Sequence, residues 1–176
     1  MTSVPPTDTI YFWKPDHPEF GWLSQWYVSY CLPPGQHHHF RTAEQWMMHQ
    51  KAILFNDEES ASKILQTDDP KTCQELGRQV KNYNASIWNE NKLNIVTEGS
   101  YHKFAHSTLQ NDDLKSKLLA TGNRPLVEAS PVDRVWGVGF GAQDAEDNRA
   151  EWGENLLGIA LEAARQRIRT ESQASH

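Results

Sequence analysis

The chain has 176 residues, a formal charge of −6 and a pI near 5.7. That is ample length for one domain with its own core and the wrong sign for a general nucleic-acid or membrane-surface binder. Cys31 and Cys73 make no disulfide framework, residues 1–6 carry no apolar secretion segment, and no run reaches transmembrane length. A soluble, cytoplasmic protein is expected, and nothing here requires more than a monomer. Mean hydropathy is low for an enzyme at −0.72, yet seven Trp, five Tyr and six Phe can furnish both a core and a pocket.

Residues 1–8 read as a loose tail, and residues 9–13 alternate as a short strand. The aromatic run 22–30 is β-prone without clean alternation, so it is expected as a strand or an irregular segment, broken by Pro33, Pro34 and Gly35. His37, His38 and His39 are adjacent, so their side chains diverge and cannot all ligate one ion. No HExxH or Cys/His spacing supplies a metal site elsewhere, and no cofactor is expected.

Residues 41–55 form the segment around which the chain is organised. Thr42 is the N-cap, no Gly or Pro interrupts residues 43–55, and Asn56 and Asp57 stop the helix. At about 100° per residue, Ala43, Trp46, Met47, Ile53 and Leu54 cover one side, and Met48, Ala52 and Phe55 the other. A helix apolar nearly all round is expected to be buried. Glu44 and Lys51 share a face, roughly 10 Å apart along the axis. Burial obliges each to find a partner or a polar cavity; structural ion pairing and a shared site both satisfy that demand.

A helix is expected over 58–66, with Ala61, Ile64 and Leu65 inward. Asp69 and Pro70 then open one running to about Val80, in which Gly77 is unfavourable unless it permits close packing. A turn or short helix near 84–88 leads to an amphipathic stretch over 92–106, interrupted at Gly99, and another helix ends at Thr121 and Gly122. Residues 126–129 and 135–138 are strand candidates. The run Gly137-Val-Gly-Phe-Gly141 lacks the surrounding unit of a dinucleotide fingerprint, and residues 142–150 read as a surface loop. A last helix is expected over 154–169, its arginines suiting the C-terminal end, with a disordered tail after Thr170.

Several segments in this order and spacing resemble the NADAR or YbiA-like family: Arg41-Thr-Ala-Glu-Gln-Trp-Met-Met-His-Gln-Lys-Ala, Leu76-Gly-Arg-Gln-Val, Lys103-Phe, Leu126-Val-Glu-Ala, Asp133-Arg-Val-Trp-Gly-Val-Gly and Trp152-Gly-Glu-Asn-Leu-Leu-Gly. The resemblance spans residues 11–165 and, with the elements above, implies a single compact, mainly helical α+β domain over 9–169 between tails 1–8 and 170–176. It also implies N-glycosidase activity, either on a ribosylamino-pyrimidine of the early riboflavin pathway or on ADP-ribosylated guanine bases, the latter carried by nucleic acid. Ser24-Gln25-Trp26 stands where many members have Ser-Asn-Phe, and Leu161-Glu162 where Leu-Met is common.

Hydrolysis of an N-glycosidic bond needs stabilisation of a cationic C1, a proton for the departing nitrogen and delivery of water. Glu44, Lys51 and Asp133 are the candidate catalytic residues. Glu44 faces the sugar; Lys51 donates a proton or attacks the opened C1 aldehyde to form an imine. Asp133 lies in a loop between the two late strand candidates, where turn capping is the competing role, and Glu128 ranks below it because Val127 competes for the inward face. Trp46, Trp88 and Trp136 are candidate stacking surfaces for a base, Trp136 above all because Gly137 and Gly139 let a ligand approach the backbone. Asn155 and the backbone at the start of the last helix are candidate phosphate contacts, as are Arg78 and Lys103. A non-catalytic module binding NAD or ADP-ribose would keep the pocket without needing Glu44 or Lys51.

Overall fold

The computed structural model describes residues 8–174; most of the expected amino-terminal tail, residues 1–7, and residues 175–176 lie outside them. Strand β1 (Ile10–Phe12) is followed by a 3-10 turn at Gly21–Leu23 and an irregular aromatic segment. Helix α1 (Ala43–Leu54) then starts where its cap predicts, Thr42 accepting from the Gln45 backbone N–H at 3.1 Å. The Gln45 side chain reaches back to the Arg41 N–H at 2.7 Å and also donates to the carbonyls of Ile64 and Thr67. A buried amide thereby fixes the helix start to its neighbour.

Helices α2 (Glu58–Leu65) and α3 (Pro70–Arg78) are capped by Asp57 and Asp69 and pack on α1. Gly77 provides the close approach: a Cβ there would overlap the Met48 side chain. Ile64 and Ala61 are buried, whereas Ile53 of α1 stays 47% exposed, so α1 is not covered all round.

Helix α4 (Ala85–Ala105) runs through Gly99 without a break, uniting two stretches expected as separate. The glycine is a packing site, since a Cβ at 99 would strike the Trp46 indole ring. After α5 (Leu114–Ala120), strand β2 (Leu126–Glu128) pairs in parallel with β1, Phe12 opposite Glu128. Residues 135–138, expected as a strand, form turns instead. Asp133 Oδ1 accepts from the backbone N–H groups of Val135 and Trp136, both at 2.8 Å, and curls the chain away from any ladder. The loop 142–150 is largely exposed but turns inward at Ala145, which is fully buried.

Helix α6 (Leu156–Ala174) continues past the expected end at Arg169, because Arg167 and Glu171 engage Tyr101 and Glu98 of α4. The α4–α6 pair forms the long side of the domain, α6 covers the sheet, and α1 packs on α2, α3 and α4. Among the described residues this makes a mainly helical α+β domain of six α-helices and a two-stranded sheet. No helix among the described residues is long and apolar enough to cross a membrane.

Gly158 is where α6 meets β2, and a Cβ there would overlap the Leu126 carbonyl oxygen and the Asn155 side chain. Backbone cannot yield as a side-chain tip can. Gly158→Ala is therefore expected to lower unfolding free energy by about 3 kcal/mol, read from urea denaturation at unchanged m-value.

Candidate active site

One cavity of about 850 Å³ opens between the start of α1, the end of α3, the carboxyl ends of both strands and the turn 130–136. Its walls carry Glu44, Lys51, Arg78, Trp88, Glu128, Asp133 and Trp136 of the sequence-predicted residues. Trp13, Lys14, Gln25, Trp26 and Gln74 line it as well and were not expected. Trp13 follows directly after β1, so only the parallel pairing, invisible in two three-residue strands, brings it beside Glu128.

Glu44 is 6% exposed in the first turn of α1. Burial pushes its carboxyl up to about 7 and the Asp133 carboxylate adds to this, while the Trp26 side chain, Arg78 and Lys51 favour the ionised form. Its backbone N–H donates to the Gln25 carbonyl at 3.1 Å, tying helix to loop. Lys51 lies about two turns further along the same face, its ammonium 4.7 Å from the Tyr83 ring centre and 5.3 Å from that of Trp88. Burial and the Arg78 charge lower its pKa, and Glu44 opposes them.

Glu128 is pushed further, up to about 8, by burial first and then by the negative charges of Asp133 and Glu44. Its Oε2 is buried without a hydrogen-bond partner in the protein, as is Oε1 of Gln25. Two unmet acceptors on the walls of one cavity are the usual mark of a binding surface. Glu128 was ranked below Asp133 in sequence because Val127 takes the inward face. Val127 does so, at 2% exposure, but Glu128 ends the strand and turns into the cavity instead. Asp133 lines the same space while also capping its own turn.

Five predicted residues lie elsewhere, each for a packing reason. Trp46 is held between Phe40 and His102, its indole N–H donating to the Ile95 carbonyl at 3.1 Å. Lys103 is 1% exposed behind the aromatic loop. A Cβ at Gly137 would strike the Glu128 carbonyl, and Gly139 takes a left-handed φ of 79° beside Arg134. Neither glycine lines the cavity.

Asn155 clamps the strand instead of meeting a phosphate: its Oδ1 accepts from Glu128 N–H and its Nδ2 donates to the Leu126 carbonyl, both at 3.0 Å. The N–H groups of Asn155, Leu156 and Leu157 are already taken by the carbonyls of Gly137, Val135 and Trp136. His37, His38 and His39 are exposed, and among the described residues no three metal-ligating side chains converge.

The NADAR domain matches residues 11–169. The chain belongs to the NADAR family. N-glycosidase R617 of Acanthamoeba polyphaga mimivirus is 45% identical over 134 residues, covering 75% of this chain and 74% of that protein. N-glycosidase Npun_R5314 of Nostoc punctiforme is 32% identical over 164 residues, 92% and 93% of the two chains. The NMR structure of Escherichia coli YbiA superposes with a TM-score of 0.72 at 25% identity, over 97% of this chain and 91% of that one. This NADAR protein is accordingly an enzyme, an N-glycosidase acting on N-glycosyl bonds.

The buried carboxyls fix how this NADAR domain responds to pH. Glu128 has a folded pKa near 8, above the ordinary carboxyl value of 4.5. The folded state therefore holds its proton longer, and stability fully present below pH 4.5 is lost as pH rises through 8. Glu128→Gln removes that loss, so the variant is expected to be more stable than the parent at pH 8 by about 1–3 kcal/mol. Below pH 5 the gap should close, as thermal melts across this range would show.

Proposed function

We propose that this N-glycosidase hydrolyses the bond between ribose C1 and the amino nitrogen of a phosphorylated ribosylamino-pyrimidine. The observation that carries the reading is the joint presence, in one cavity, of four carboxyl groups (Asp16, Glu44, Glu128 and Asp133), three cationic side chains and four indole rings. Each set answers a different part of such a substrate. Lys14, Lys51 and Arg78 match phosphate, the tryptophans Trp13, Trp26, Trp88 and Trp136 offer apolar faces to a planar base, and the carboxyls face the sugar. A volume of about 850 Å³ suits a free nucleotide-like molecule. An ADP-ribosylated guanine base contains the same type of bond, but when carried by nucleic acid it must approach a protein of net charge −6 against repulsion.

The chemistry divides between the two buried glutamates. Burial pushes both carboxyls up, and the negative charge of Glu44 raises Glu128 further, so near neutrality the pair is poised to share one proton. Glu44, at about 7, supplies the anion that stabilises positive charge at C1 and takes a proton from the attacking water. Glu128, at about 8, is the acid that protonates the leaving nitrogen. The C1–N bond breaks, the water oxygen joins C1, and the free aminopyrimidine leaves with the added proton. Asp133 adds negative charge beside both and so favours the protonated form of each. Lys51 is the nucleophile available for a covalent route, in which its amine adds to C1 of the ring-opened sugar. The C1–N bond breaks as the aminopyrimidine leaves with a proton and a lysine imine forms, and water then hydrolyses that imine to free the sugar and the amine.

Mass-spectrometric detection of free base from a ribosylaminouracil phosphate, beside ADP-ribosylated guanosine, tests the substrate assignment. Release from the first is expected, and release from the second alone would transfer the assignment to it. The rate should follow a bell with limbs near pH 7 and pH 8 that belong to the coupled carboxyls together. Glu44→Gln is expected to lower kcat by about 10²–10⁴-fold with folding retained. Borohydride during turnover should trap a sugar adduct on Lys51 if the covalent route operates, and full turnover by Lys51→Met would eliminate that route.

A further inference from the structure

Lys103 projects from α4 into the interior behind the cavity, 1% exposed. Its Nζ donates to the Ser24 carbonyl at 2.7 Å, with the ring centres of Phe104 and Tyr27 at 5.1 and 5.6 Å. No carboxylate among the described residues makes a salt bridge with it. The charged or titratable groups that face it are the Cys31 thiol and Asp112, together with Tyr27, whose hydroxyl donates to Asp112 at 2.6 Å. Burial pushes the Cys31 thiol up to about 11, so it supplies no counter-charge near neutrality. Burial lowers the Lys103 pKa to about 7 against the weaker pull of Cys31 and Asp112.

An unpaired buried cation is unfavourable for the fold, and an apolar chain of similar length would serve packing better. What Lys103 holds gives it a use. The Ser24 carbonyl also accepts from the Tyr27 N–H at 3.1 Å, closing a turn, and the Ser24 hydroxyl accepts from the Trp26 N–H at 3.3 Å. The next carbonyl, that of Gln25, takes the Glu44 N–H at 3.1 Å. One ammonium thus reaches the first turn of α1 through two successive backbone carbonyls. Between them the turn carries Gln25 and Trp26 into the cavity, Gln25 with a buried carbonyl oxygen that lacks a partner.

We propose that Lys103 is a positioning residue for hydrolysis: its buried head group locks the turn of residues 24–27, aiming Gln25 and Trp26 at the leaving base beside Glu44. The unmet Gln25 acceptor specifies a base that presents an N–H group to it, as an aminopyrimidine does. The inference rests on the proposed function for its substrate, and on backbone geometry alone for the lock.

The test is Lys103→Met beside Lys103→Arg, read by thermal melting, by kcat and KM on ribosylaminouracil phosphate, and by amide hydrogen exchange at Tyr27 and Glu44. Lys103→Met is expected to melt at or above the parent temperature. A base with a lowered folded pKa binds fewer protons when folded, so its cost is full below pH 7 and fades toward the unfolded value of 10.5. The melting gain should therefore be largest below pH 7. The same variant should lose at least tenfold in kcat/KM and exchange faster at both amides, while Lys103→Arg keeps protection and recovers most of the turnover. Should Lys103→Met not fold, Lys103→Leu is read in its place: faster exchange at Tyr27 and Glu44 with lowered kcat/KM supports the lock, and parent-like exchange and turnover overturn it. Parent-like turnover and protection in folded Lys103→Met would overturn it equally. If the parent releases no base from the probe, the substrate reading fails, and the exchange data alone still decide the lock.

Discussion

The dehydration of Glu44 is the constraint on which the rest of the structure depends. A carboxylate in the first turn of a helix is ordinarily favoured by the free N–H groups there, yet here burial dominates and raises its pKa to about 7. Holding it there requires that α1 begin at a fixed residue, since a slip of one position would rotate Glu44 by about 100°. The Thr42 cap and the three hydrogen bonds of the Gln45 side chain fix that start. Gly77 lets α3 come close enough to Met48 to bring Arg78 to the cavity rim. Structural precision at the helix start and chemical tuning of the carboxyl are one property.

The second carboxyl is placed by different means. Glu128 ends a strand of three residues, too short to orient a side chain by its own ladder. Asn155 supplies the missing stiffness by bonding both Leu126 and Glu128, in a left-handed conformation with φ 50°. A non-glycine residue in that region carries strain, offset here by the backbone groups it satisfies. Gly158 then lets α6 press against the same strand. The two carboxyls are held by independent elements, α1 and β2, so their placement does not depend on one loop.

Local signals explain which parts of this arrangement were legible in the sequence. The caps Thr42 and Asp69 bond within three residues of themselves and were readable, whereas Asp57, expected only as a stop for α1, also caps α2. The shared face of Glu44 and Lys51 follows from helical period alone. Gly99 misled because a glycine inside a helix reads as a break unless the indole that fills its space is known. Residues 135–138 looked β-prone, but the Asp133 carboxylate consumes the N–H groups a ladder would need. Trp46 and Lys103 are on helices whose cavity-facing side is decided by neighbours distant in sequence. Asn155 and Trp13 were misread or missed for a related reason, since their neighbours are distant in sequence: Asn155 bonds Leu126 and Glu128 of β2, and Trp13 comes beside Glu128 through a parallel pairing of residues about 115 positions apart.

The loop 24–27 joins these themes. It is neither helix nor strand, and no side-chain periodicity defines it, yet it has a buried cation behind it and a buried carboxyl in front. Lys103 and Glu44 are both disfavoured by dehydration, the first toward loss of its proton and the second toward keeping one. Direct ion pairing would relieve both and would also remove the chemistry, since a paired Glu44 would be fully ionised and poorly matched to proton transfer near neutrality. By interposing two backbone carbonyls, the fold keeps the charges apart while linking their positions. The stability forgone by not pairing them leaves Glu44 with a raised pKa near neutrality, where the proposed hydrolysis needs it.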